Sequence, residues 1–75
     1  MRLSKELVGA INAYYAFKNI AGNGMFRSSD EKQRCCEAVS KAADKSGIGV
    51  AIAPGTMFFS RGKQKLEVNG PILPQ

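Results

Sequence analysis

The sequence predicts an α+β fold: an N-terminal helical hairpin packed on a small three-stranded antiparallel sheet, in the order α-α-β-β-β. Three observations carry this expectation. Apolar residues first recur at helical spacing in two runs, each framed by capping residues. From Ile48 onward the period changes to strict alternation. Pro54-Gly55 and Arg61-Gly62 then punctuate the alternation with turn chemistry.

The first helix is expected over residues 4–21. Ser4 is its N-cap, Glu6 complements the positive helix end, and Leu3 is placed to staple against Val8. Leu7, Ile11, Tyr14, Tyr15, Phe17, Ile20 and Ala21 cover well over half of its circumference at about 100° per residue. A surface helix buries only roughly a third. This helix therefore carries more apolar face than one neighbour needs. Gly22 supplies the left-handed position that ends it.

A second helix is expected over 29–46, with Ser28 and Glu31 at the spacing of a capping box. Its apolar arc of Cys35, Cys36, Ala38, Val39, Ala42 and Ala43 is nearly all small, which lets the bulky first helix approach closely. Asp30–Arg34 and Glu37–Lys41 are spaced for i,i+4 pairing on the opposite face. Strands follow at about 48–53, 56–60 and 63–68, with a tail over 70–75. Ile48, Val50, Ile52, Leu66 and Val68 point inward, while Lys63, Lys65 and Glu67 point out. Phe58 and Phe59 are adjacent, so one is core and the other is exposed.

All 75 residues read as one small domain. A core of this size rarely supplies more than about 3–5 kcal/mol, and such chains often recruit a second subunit, a metal or a disulfide. The chain has no histidine, and its two cysteines, Cys35 and Cys36, are adjacent, so neither a zinc site nor a loop-closing disulfide is expected. Two reduced thiols in a cytoplasmic protein is the expected state. The opening MRLSKELVGA does not read as a secretory signal, and no stretch approaches the ~20 apolar residues of a membrane span. Eleven Lys and Arg against six Asp and Glu give a formal charge of +5, which favours acidic partners, nucleic acid among them.

The residues argue against catalysis. The usual general base is missing, the carboxylates serve as caps or helix pairs, and the thiols fall on or beside a helix's apolar face. No cofactor is expected. Three groups of residues remain as candidate contacts. Arg61, Lys63 and Lys65, with Phe58, form a basic hairpin that would neutralise phosphates and stack on a base; its bland reading is a solvated edge kept from aggregating by lysine. Tyr14, Tyr15, Phe17 and Ile20 form an oligomer or partner interface, unless the helix is sandwiched. Arg27, Ser28, Ser29 and Lys32, at the start of the second helix, form a possible anion site, although Asp30 and Glu31 oppose an anion there.

The helices before a strand and basic hairpin are similar to a winged helix in outline only, since no third helix exists to enter a major groove. The expected function is that of a small non-enzymatic interaction protein, a homodimer or higher oligomer. It would act as adaptor or inhibitor on a larger protein or nucleoprotein assembly, in the manner of the accessory proteins of phages and mobile elements. The alternatives are direct nucleic-acid binding through the basic hairpin and, more weakly, oligomeric binding of a small anionic ligand.

Overall fold

The computed structural model describes residues 1–20 and 22–72. It has two helices followed by a three-stranded antiparallel sheet: α1 (Lys5–Lys18), α2 (Ser29–Lys45), β1 (Gly49–Ala53), β2 (Thr56–Arg61) and β3 (Gln64–Val68). The strands lie in the order β1-β2-β3, so β2 is central and β1 and β3 are edges. The α-α-β-β-β order is the one expected from the sequence.

Both helices start where their caps dictate. The Ser4 hydroxyl accepts from the Leu7 amide and the Ser28 hydroxyl from the Glu31 amide, each at 3.1 Å. The capping box on α2 is only half made, because the Glu31 carboxylate turns to Arg27 instead. α1 stops at Lys18, with Asn19 as its C-cap, short of the expected residue 21; Ala21 lies outside the described residues. α2 ends in a Schellman motif. The Ile48 amide reaches back to the Ala43 carbonyl oxygen (2.9 Å) and the Gly47 amide to that of Asp44 (3.0 Å). Gly47 has φ +68, a left-handed conformation that a side chain would strain.

The core lies where the helices meet the inner sheet face. Leu7, Ile11, Tyr14 and Tyr15 come from α1, and Cys35, Val39, Ala42 and Ala43 from α2. Both sets repeat at i, i+4, i+7 and i+8, the stripe a half-buried helix turns toward its neighbour. Ile48, Met57, Phe59 and Val68 cover them from the sheet side. Two side chains tie α1 by hydrogen bonds to the C-terminal half. The Tyr15 hydroxyl donates to the Val68 carbonyl oxygen at 3.1 Å, with that of Gly55 second at 3.3 Å. The Asn12 side chain clamps Ile72, donating to its carbonyl oxygen (2.8 Å) and accepting from its amide (2.6 Å). That clamp docks the beginning of the tail expected over 70–75; residues 73–75 lie outside the described residues.

The second hairpin turns one residue later than expected. β2 runs through Arg61, and Gly62-Lys63 forms the two-residue turn. Gly62 has φ +61 at the first central position, the requirement of a II′ turn whose twist matches the flanking strands. The shift matters for the charges below. The expected helix pairs Asp30–Arg34 and Glu37–Lys41 do not form. Among the described residues the ion pairs are Arg27–Glu31 and Lys45–Glu6, and Glu37 accepts from Gln33 instead. Exposed i,i+4 pairs are worth only about 0.3–0.5 kcal/mol, so a competing amide readily replaces them.

Candidate interaction surfaces

The sheet has one face on the helices and one face uncovered. On β2, Met57 and Phe59 are buried while Phe58 between them is 46% exposed. Strand pairing places Ala51 and Glu67 directly beside Phe58, and Gly49 and Lys65 beside Ser60. This outer face is a shallow trough of about 710 Å³, floored by small residues and walled by Phe58 and Lys65. Gly49 is small for a local reason: a Cβ there would sit 3.3 Å from the Ser60 hydroxyl oxygen.

The structure divides the expected basic hairpin. Lys65 shares the outer face with Phe58. Lys63 lies in the turn, so it does not line up with Lys65 as the earlier strand boundary implied. Arg61 has the parity of Met57 and Phe59 and projects to the helix side, where its guanidinium approaches the Ser46 carbonyl oxygen at 3.5 Å. Glu67, opposite Phe58, offsets part of the remaining charge.

The apolar surplus of α1 is largely absorbed within the chain. Tyr14 and Tyr15 are each only 3% exposed, so they are not the surface contacts their spacing suggested. Tyr14 packs edge-on against Tyr15 (5.2 Å between centroids) and against Phe26 from the interhelical loop (5.0 Å). Phe17 and Ile20, beyond this cluster, do remain exposed, as does Met25 in the loop.

The start of α2 is committed in part. Arg27 holds Glu31 through two hydrogen bonds, one at 3.2 Å from Nε, and the Ser28 hydroxyl is the cap. Ser29 and Lys32 make no such side-chain bonds among the described residues and line a groove of about 810 Å³ bounded by α1, α2, the interhelical loop and β1. Cys36 lies on this groove and is partly exposed, whereas Cys35 is buried; both are free thiols. Burial pushes the Cys35 thiol up, with nearby Glu31 adding to the effect, which keeps it protonated and inert.

The Arg27 hydrogen bonds hold the Glu31 carboxyl below the usual carboxylate range, against the opposing pull of its partial burial. Since the folded value lies below the unfolded one, the pair's contribution to stability is complete above the ordinary carboxylate value of about 4.3. It is lost as pH falls through the lowered folded value. The gap in urea midpoint between the wild type and Arg27→Gln should therefore be widest at neutral pH and close on acidification. A gap independent of pH would mean that the pair contributes nothing through charge.

Three features had no single-segment signature: the Asn12–Ile72 clamp, the Arg27–Glu31 pair in place of a full capping box, and the groove beside β1. No family model matches the chain, and comparison with curated proteins and with solved structures gives no match. No helix among the described residues is long and apolar enough to cross a membrane.

Proposed function

We propose that this chain is a non-enzymatic interaction protein that self-associates through its outer sheet face and acts as an adaptor or inhibitor on a larger protein or nucleoprotein assembly. One observation carries the reading: Phe58, 46% exposed, stands in the middle of the central strand on the uncovered sheet face, with small Ala51 on one side and Glu67 on the other. Two such faces packed against each other would form a sandwich with Phe58 of each copy in the other's trough. Aromatic anchors of this kind concentrate binding energy at interfaces. Burying this face would also add apolar burial to the limited core of so short a chain.

Sedimentation equilibrium tests it. The wild type should be a dimer, and Phe58→Lys should be monomeric with an unchanged melting temperature at low concentration. A wild type that stays monomeric across the accessible concentrations would defeat the self-association reading.

A second reading is favoured by the placement of Lys65 on the same face as Phe58, with Lys63 at its end. Single-stranded nucleic acid would stack a base on Phe58 while the lysines neutralise phosphates. It predicts binding that weakens steeply with salt and is abolished by Lys63→Glu with Lys65→Glu. Glu67 beside Phe58 opposes a phosphate at that position.

A further inference from the structure

The two edges of the sheet differ in a way that bears on partners. An edge strand presents one unpaired row of backbone amides and carbonyls, a template for another strand, and proteins usually blunt it with charge. β3, one edge, carries Lys65 and Glu67. β1, the other, reads Gly-Val-Ala-Ile-Ala and carries no charge. Among the described residues its free side pairs with no other strand, and what lies next to it is a groove.

That groove is lined from one side by Val50, Ile52 and Pro54, and from the other by α2, the interhelical loop and the end of α1; β2 and β3 contribute nothing to it. Its apolar lining includes Tyr14, Phe26 and Cys36. Its charged lining is Lys18, Arg27 and Lys32, drawn from three segments; Arg27 is already paired with Glu31, which leaves Lys18 and Lys32 as the cations that face the groove. Lys18 reaches the β1–β2 turn, since a Cβ added at Gly55 would sit 3.7 Å from its ammonium nitrogen. The five residues of β1 extend over about 16 Å at ~3.3 Å each, enough to pair with a short extended segment.

We propose that this groove takes an extended acidic segment of a partner protein, which adds as a strand to the free edge of β1. Strand addition supplies the backbone hydrogen bonds. Alternate apolar side chains of the segment enter between Ile52 and Phe26, and its carboxylates meet Lys18 and Lys32. Charge decides the occupant. A second copy of this chain would bring the same cations to the seam and be repelled, whereas an acidic segment is attracted. Nucleic acid would satisfy the cations but would leave the β1 amides and the apolar lining without counterparts. This surface is distinct from the outer sheet face and stands whether or not that face associates.

The test is selection of displayed random peptides of about twelve residues, long enough to span β1, on the full chain. Enriched peptides should alternate acidic with apolar residues, shift the amide resonances of Gly49–Ala53 and slow alkylation of Cys36 by about tenfold or more. Lys18→Glu with Lys32→Glu should weaken them by about tenfold or more, because reversal sets like charges against the acidic segment, with the melting temperature unchanged; Phe58→Lys should leave them bound. The proposal is overturned if no peptide is enriched, or if the charge reversals have no effect. It is also overturned if the shifts fall on the Phe58 face. Protection of the β1 amides by self-association alone would assign the edge to a second copy. An oligonucleotide that shifts Lys18 and Lys32 and displaces every peptide would assign the groove to nucleic acid.

Discussion

Phe59→Ala should leave the chain unfolded at room temperature, whereas Phe58→Ala should be almost silent. Phe59 is 1% exposed and among the largest fully buried side chains, between Val50 and Leu66 on the inner sheet face. Removing a buried phenyl ring costs about 3–5 kcal/mol, the lost transfer energy plus the cavity left behind. A core of this size supplies roughly the same amount, so nothing remains to hold the fold. Phe59→Leu keeps most of the volume and should stay folded with a lowered urea midpoint.

Phe58, its neighbour, points the other way. At 46% exposure it contributes little to the single chain, and its truncation should shift stability by no more than about 0.5 kcal/mol. The contrast is a test of register, because a slip of one residue exchanges the two rings between core and solvent. Equal destabilisation by the two substitutions, read from denaturation at a concentration where the chain is monomeric, would place both rings in the core and remove the exposed anchor on which self-association rests.

This contrast was legible in the sequence, and so was the element order. Period, capping and turn chemistry are local, and they agreed with one another along Ser4, Ser28, Gly47 and Pro54-Gly55. The alternation of β2 placed one phenylalanine on each face without saying which. The structure settles that by burying Met57 and Phe59 together. What covers α1 was not legible. Helical periodicity measures how much apolar surface Tyr14 and Tyr15 add, but their cover comes from Phe26 in the interhelical loop and from the sheet, both distant in the pattern. The same holds for the groove. Arg27 and Lys32 stood out only as a possible anion site at the start of α2, and it is the fold that brings Lys18 and the edge of β1 to the same groove. The Asn12–Ile72 clamp joins residues sixty apart, and a polar residue on an amphipathic helix gives no hint of such a contact.

Tyr15 should separate a ring effect from a hydroxyl effect. Tyr15→Phe keeps the buried ring against Tyr14 and removes only the donor that reaches the carbonyl oxygens of Val68 and Gly55. Leaving a buried acceptor unpaired costs about 1–3 kcal/mol. In a domain of this size each kcal/mol lowers the melting temperature by roughly 4–8 °C. Tyr15→Ala adds the loss of the ring, about 3–5 kcal/mol, and should not fold. Amide exchange locates the effect: in Tyr15→Phe the end of β3 near Val68 and the turn at Gly55 should open more than the α1–α2 contact. Uniform loosening would mean that the hydroxyl is not a tie between layers. Alkaline titration supplies an independent reading. Burial pushes the Tyr15 phenol above its ordinary value, so the folded chain holds that proton at a pH where the unfolded chain has released it. Stability from this source is therefore complete below the ordinary tyrosine value of about 10 and is lost as pH rises above it. Tyr14, raised by burial and by its cysteine and tyrosine neighbours, contributes a loss of the same sign. Tyr15→Phe should thus be less stable than the wild type at neutral pH and should lose less on alkalinisation, so the two unfolding curves converge. Parallel curves would show that Tyr15 titrates alike in the folded and unfolded chain.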